Sequence, residues 1–222
     1  MTDDQAFTPR IDARPDDVVW PQAKWPPPME TVLEGDTVRL TPTVDADLAE
    51  LWAALDAEQV WRHLPSPRPT DVDAMRQHHK ALQDRGFFPW TLRLVTPVGG
   101  ADPGAVVGWS CYLDVSPNDA RCEIGGTSYA VNVWGTNVNP EAKLLLLTYA
   151  FEELDMGRVQ LKTDIRNIRS QRAIAGIGAT FEAVLRRYNR RADGTMRDSV
   201  LFSVTAEDWP EVRANLRRRL DG

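Results

Sequence analysis

Cysteine and histidine are scarce in this chain of 222 residues. Cys111 and Cys122 are its only cysteines, and His63, His78 and His79 its only histidines. No metal-ligand spacing arises from so few, and no disulfide framework is expected. The hairpin register inferred below sets Cys111 beside Gly125 rather than Cys122, so both thiols are expected to be reduced core residues. His78 and His79 are adjacent, and neighbours on a helix point in different directions; a solvated helix is expected there. Positive charge is also in deficit, with 26 Lys and Arg against 32 Asp and Glu and a formal net charge of −6. A phosphate backbone would be repelled over most of such a surface, which excludes generic nucleic-acid binding but leaves room for a local basic patch on a small phosphorylated ligand. No apolar run approaches the ~20 residues that span a bilayer. The N-terminus has no signal-peptide core either. A cytoplasmic protein with no membrane partner is expected.

What is present is ordinary for a globular protein: 42% hydrophobic and 26% charged residues. The length suits one large domain able to bury a full core. Residues 1–32 stand apart, rich in Pro, Asp and Trp and ending near Trp25-Pro26-Pro27-Pro28. Prolines at that density block both helix and central strand, so this stretch reads as an extended arm. Trp20 and Trp25 are expected to pin it to the body at 33–222, since two large aromatics gain little in solvent.

The body alternates strand and helix signals. Residues 37–40 alternate as a strand does. Asp45 is expected to cap a helix through Leu48, Leu51, Trp52 and Leu55, and 71–82 reads as a second helix. Strands are expected at 89–95 and 105–115, then a Ser-Pro-Asn-Asp turn and a return strand over 121–130. Residues 133–139 form a loop. Asn139 is a good N-cap, and Pro140 stands in the first turn of an apolar helix, where its missing N–H costs nothing. A strand at 158–164, a short helix at 168–176, strands at 179–188 and 196–204, and a last helix at about 207–220 complete the chain.

Four segments carry a resemblance. They are Glu123-Ile124-Gly125, the stretch from Trp134 to Lys143 (WGTNVNPEAK), the stretch from Asp164 to Ile174 (DIRNIRSQRAI), and Ile177-Gly178-Ala179-Thr180-Phe181-Glu182. In this order they resemble ribosomal-protein N-terminal acetyltransferases of the GNAT superfamily, over roughly residues 33–209. The resemblance implies an α/β (α+β) fold with a mixed, mostly antiparallel central sheet flanked by helices. It also implies acetyl-coenzyme A as cosubstrate and no metal. One departure stands out: where the family loop has glycines, this chain has Asn137 and Asn139. Asn tolerates a left-handed backbone, so Asn137 is expected to hold the turn a glycine would.

A loop feeding a helix N-terminus presents free N–H groups and a positive dipole end to the pyrophosphate of coenzyme A. Trp134, Gly135, Thr136, Asn137, Val138, Asn139, Ala142 and Lys143 are therefore candidate cofactor contacts; an ordinary capped strand-to-helix turn is the bland alternative. Lys143, Arg169 and Arg172 are candidates for other phosphates, or solvated charges. The Asn167 amide can serve the pantetheine arm or cap the next helix. Strand-end N–H groups at Thr127, Ser128 and Tyr129 are candidates to polarise the thioester carbonyl. The attacking amine must lose a proton, and Glu123 is the candidate base, with a surface strand carboxylate as the alternative. Ser170 lies one helical turn after Asn167, and the resemblance implies that it protonates the leaving thiolate; otherwise it is a plain first-turn serine. Trp52, Trp61, Phe88, Trp90 and Trp109 are expected mostly in the core, with one or two walling the acceptor site. The expected activity is acetyl transfer to a primary amine, on a protein N-terminus or a small molecule. Two alternatives stay open: a non-catalytic acyl-coenzyme A-binding or partner-binding module, and an acyltransferase using another donor such as succinyl-coenzyme A. The expected partners are the acyl-coenzyme A and the amine, with a homodimer left open.

Overall fold

The computed structural model describes residues 8, 9, 11, 12 and 18–222. Eight strands form one mixed sheet: β1 (Leu33–Glu34), β2 (Val38–Pro42), β3 (Phe88–Leu94), β4 (Val106–Ser116), β5 (Arg121–Tyr129), β6 (Arg158–Asp164), β7 (Thr180–Arg190) and β8 (Met196–Thr205). Their spatial order is β1-β2-β3-β4-β5-β6-β8-β7, and every pairing is antiparallel except β5 with β6. The expected fold class is therefore the one observed. Cys111 pairs with Gly125, as the hairpin register requires, and both cysteines are free and buried.

Helices cover both faces, because the central strands β3 and β4 are buried along most of their length and so have two apolar faces to cover. On one face α1 (Leu48–Leu55), the short α2 (Glu58–Trp61) and α3 (Val72–Asp84) pack Leu51, Trp61, Met75 and Leu82 against Trp109 and Cys111. On the other, α4 (Val138–Thr148), α5 (Ile168–Gly176) and α6 (Trp209–Asp221) pack Leu146, Ile174 and Leu216 against Tyr112, Ile124, Leu161 and Val200. A single π-helical turn, Tyr149–Glu153, extends α4.

Three local expectations are corrected. Asp45 does not cap α1: a 3-10 turn, Asp45–Asp47, precedes it, and the Asp47 carboxylate accepts from the Val44 N–H at 3.0 Å. α2 was missing from the expected order, since four residues carry too little periodicity to stand out. The α3 histidines are not solvated. His79 is buried, and the His78 ring lies 5.3 Å from Trp61 and 5.6 Å from Trp109. Burial lowers both imidazole pKa values, keeping the rings neutral.

From Trp20 to Trp25 the chain touches the body. The Trp20 Nε1–H donates to the Asp155 carbonyl at 2.9 Å, Ala23 is buried, and the Trp25 ring meets Phe88 and Tyr112 edge-on. At the other end of the sheet, Glu141 in α4 is a structural carboxylate. It accepts the backbone N–H groups of Asp36, Thr37 and Val38 at 3.0, 2.7 and 2.6 Å, tying the β1–β2 turn to the helix. Gly35 leaves room for it, since a Cβ there would sit 2.5 Å from the Glu141 carboxyl carbon.

Candidate active site

The site begins where two strands part. β5 and β6 pair only from Arg121–Arg158 to Glu123–Gln160. Beyond that point β5 runs on to Tyr129 without β6 beside it, and the N–H and C=O groups of its freed edge face a cavity of about 760 Å³. An extended ligand can bond to such an edge as a strand would. The edge is bent by a bulge. Trp109 pairs with Ser128 and Cys111 with Gly125, so Gly126 and Thr127 together oppose Ser110. Gly126 sits at φ 58°, which a glycine adopts without steric cost.

On the α4–α5 side the cavity wall includes Trp134, Gly135, Thr136, Asn139 and Lys143 from the loop and α4, and Asn167, Ser170 and Arg172 from α5. Thr127, Ser128 and Tyr129 line it from β5. These residues stand around one cavity. Asn137, Val138 and Ala142 are not on the wall; Val138 and Ala142 are fully buried in the core. The loop is also built differently. Asn137 has φ −69°, an ordinary helical value, and Gly135 takes the left-handed turn at φ 77°. Asn139 is not the cap: α4 starts at Val138, whose N–H reaches the Thr136 hydroxyl at 3.3 Å, and that hydroxyl donates to the Val133 carbonyl at 2.7 Å. Trp134 is held by its Nε1–H on the Tyr129 carbonyl, 2.9 Å, and carries the Arg169 guanidinium on its ring at 3.3 Å. Asn167 caps α5, its Oδ1 accepting from the Ser170 N–H at 3.1 Å, which leaves the Asn167 amide nitrogen for other partners.

Two charged candidates lie deeper than expected. Glu123 is not a surface carboxylate; it is 5% exposed and ion-paired with Lys162 at 2.8 Å. Burial raises its pKa above the ordinary 4.5, and Lys162 with Gln160 at 3.3 Å offsets part of that rise. Lys143 is not a solvated charge. Its Nζ donates to Thr127 Oγ1 at 2.8 Å and Ser110 Oγ at 3.3 Å, and burial pulls its pKa down from 10.5 to about 7. Both hydroxyls face α4 across the bulge, 2.7 Å from each other. Trp109 is the one expected aromatic that reaches the cavity wall.

Sequence reasoning missed Lys162, Tyr188 and Arg197, which also line the cavity. The Lys162 amine lies 3.0 Å from the Tyr188 hydroxyl and 4.7 Å from that ring's centre. Burial would lower the Lys162 pKa, but Glu123 and Tyr188 raise it on balance. The available signal was the run Arg158, Gln160, Lys162, Asp164, polar at every second position. Such alternation reads as a solvent face, whereas here it lines a cleft.

This arrangement has a family. The family model for the acetyltransferase (GNAT) domain matches residues 37–180. A FsC-acetyl coenzyme A-N(2)-transacetylase of Aspergillus fumigatus is 29% identical over 163 residues, covering 68% of this chain and 66% of the relative, just under two thirds of its length. An uncharacterised N-acetyltransferase of Bacillus licheniformis, p20, is 26% identical over 82% of this chain and 99% of its own. The crystal structure of a candidate acetyltransferase from T. thermophilus superposes with a TM-score of 0.77 at 37% identity, covering 89% of this chain and 100% of that one. The chain belongs to the GNAT family of acetyl-coenzyme A-dependent N-acetyltransferases.

Proposed function

We propose that residues 33–222 form a catalytic domain, of the ribosomal-protein N-terminal acetyltransferase-like subgroup, that moves the acetyl group of acetyl-coenzyme A to a primary amine. The observation that carries this reading is the parting of β5 from β6 just past Glu123, which joins a loop-and-helix anion site to a carboxylate through one cavity. The pyrophosphate would lie on the backbone of Gly135 and Thr136 at the start of α4, with Arg169 and Arg172 near other phosphates. Pantetheine amides would bond to the free edge of β5 and to Asn167. The bulge at Gly126 and Thr127 leaves an N–H without a strand partner, suited to the thioester oxygen as it gains negative charge.

In the reaction the amine nitrogen attacks the thioester carbonyl carbon. The C–N bond forms and the C–S bond breaks. The amine proton goes to Glu123, directly or through water, and the departing thiolate accepts a hydrogen bond from the Ser170 hydroxyl; loss of the Glu123 proton to solvent and uptake of one by the thiolate close the balance. A raised carboxylate pKa suits this duty, because a base is most effective when its pKa lies near the working pH. The Lys162 ammonium beside Glu123 offsets part of the rise that burial causes.

The test is steady-state turnover of acetyl-coenzyme A with an amine panel, for wild type, Glu123→Gln and Ser170→Ala. Each variant should lose ~10²–10⁴-fold in kcat with nearly unchanged coenzyme A affinity, since a group acting in the transition state barely affects ground-state binding. Glu123→Gln should also flatten the acidic limb of the pH–rate profile. Near wild-type rates in both variants would leave only alignment of a neutral amine with the thioester.

A further inference from the structure

The cavity is basic although the chain is acidic. Its walls carry seven Lys and Arg but only two carboxylates, Asp114 and Glu123, against a formal net charge of −6 overall. Phosphates of a bound cosubstrate account for cations on the α4–α5 side. They do not account for Arg197. In an antiparallel pair, opposed residues share a face. Ser199 opposes Asp164 and Leu201 opposes Lys162, so Arg197, two residues before Ser199, lies on the Lys162 face. Val200 and Phe202 occupy the other face, packed into the core beneath α5 and α6. The sheet thus separates Arg197 from the α5 cations and sets it with Glu123, Lys162 and Tyr188.

Arg197 is only 7% exposed. Its Nε–H donates to the Ser199 hydroxyl at 2.9 Å. Neither terminal nitrogen has a protein acceptor among the described residues, and no carboxylate there pairs with it. The two nearest in charge are engaged: Glu123 by Lys162, and Asp164 by Arg191 through a two-pronged contact at 2.7 and 3.0 Å. A guanidinium removed from water without a counter-ion is costly. A ligand carboxylate relieves that cost, and the planar fork accepts it in two-pronged geometry.

We propose that Arg197 is the anchor of a carboxylate subsite on the acceptor side of the cavity, and that the acceptor is a small amine carrying a carboxylate. The inference rests on the acetyl-transfer reading and narrows its substrate class. The carboxylate docks on the free edge of Arg197, which turns the amine of the same molecule toward Glu123. The apolar wall of Leu64, Phe87, Trp109 and Leu113 receives the rest.

The experiment uses amine trios: an amino acid, its amide and the decarboxylated amine, on alanine, leucine, phenylalanine and lysine bodies. Phosphoethanolamine with ethanolamine forms a further pair. Wild type should favour the carboxylated member of at least one trio by tenfold or more in kcat/KM. Arg197→Gln should collapse that preference, mainly through KM, and Arg197→Lys should keep part of it. Equal rates across every trio would overturn the proposal without any variant being needed, as would a preference for phosphoethanolamine over every carboxylate. If no amine turns over, the acetyl-transfer reading fails by itself. The subsite is then read by quenching of tryptophan fluorescence with N-acetylphenylalanine and its amide. Tighter binding of the acid in wild type, lost in Arg197→Gln, sustains it; equal binding sinks it.

Discussion

Replacing Lys143 with methionine should stabilise the protein, and by an amount that depends on pH in a stated direction. Lys143 is 5% exposed, bonded to two hydroxyls and, among the described residues, to no carboxylate. A pKa of about 7 in place of 10.5 corresponds to about 5 kcal/mol of differential cost, at about 1.4 kcal/mol for each tenfold change. The folded pKa lies below the unfolded one, so between them the unfolded chain binds more protons and stability rises with pH. The cost is fully present below about pH 7 and is relieved as the pH climbs toward 10.5. Methionine has similar length and no charge to desolvate. Ser110 and Thr127 keep their bond to each other, so the variant forfeits only hydrogen bonds worth about 1 kcal/mol each. The net gain near pH 7 is then about 3 kcal/mol, or about 6–12 °C in Tm for a chain of this size. Thermal unfolding of both proteins from pH 6 to pH 10 measures it, and the gap should close toward the alkaline end. Activity should fall at the same time, because Thr127 on the bulge loses its donor; stability gained and function lost together mark a residue kept for its chemistry. A variant less stable than wild type at pH 7, or a gap that ignores pH, would show that the amine is compensated in a way these contacts do not include.

Three further outcomes are expected. Glu141→Ala leaves three backbone N–H groups without their acceptor and should cost about 2–4 kcal/mol in chemical denaturation; a loss under 1 kcal/mol would mean that water replaces the carboxylate. A Cβ at Gly135 meets no atom within 4 Å, but Gly135→Val forces a β-branched residue to φ 77°, so it should cost about 1–2 kcal/mol of stability while weakening coenzyme A binding at least tenfold by calorimetry. Asp164→Asn leaves the Arg191 guanidinium without its carboxylate and should lower the denaturation midpoint measurably. Burial alone would raise the Asp164 pKa, but Arg191 and the Arg166 N–H hold it below 3.8. Its stabilisation is thus present above about pH 4 and lost as the pH falls through the depressed value, and the variant should lack that acid-side slope.

The sheet was legible because its information is local. Apolar alternation in 105–115 and 121–130, joined by a Ser-Pro-Asn-Asp turn, sets the hairpin and with it the Cys111–Gly125 register. The loop into α4 and the Asn167–Ser170 turn were legible for the same reason: caps and turns are written in three or four consecutive residues. The details that failed depend on longer-range packing. Asn137 and Asn139 looked like the special backbone positions, yet Gly135 two residues earlier absorbs the turn. Lys143 looked like a charge fronting a leucine run. With Leu146 and Leu147 at three and four residues on, it shares their buried stripe, and a helical wheel would have shown it facing the sheet.

The same ambiguity governs the charges of the cleft. A strand that alternates polar and apolar residues lays its polar face against water or against a polar cavity, and the pattern alone does not distinguish the two. β6 takes the second course because β5 turns away after Glu123. That one divergence removes a strand neighbour from Lys162 and Asp164 and opens the space in which Arg197 has no paired carboxylate among the described residues. Breakage of strand pairing is therefore what converts an unremarkable polar face into a site. Glu123, last on β5 to pair with β6, stands where the two strands separate. It is close enough to the sheet to be held by Lys162 and Gln160, and open enough to the cavity to meet an incoming amine. One residue earlier or later the side chain would point to the opposite face of the sheet, where Cys122 and Ile124 are buried in the core. The position of the base follows from where pairing ends.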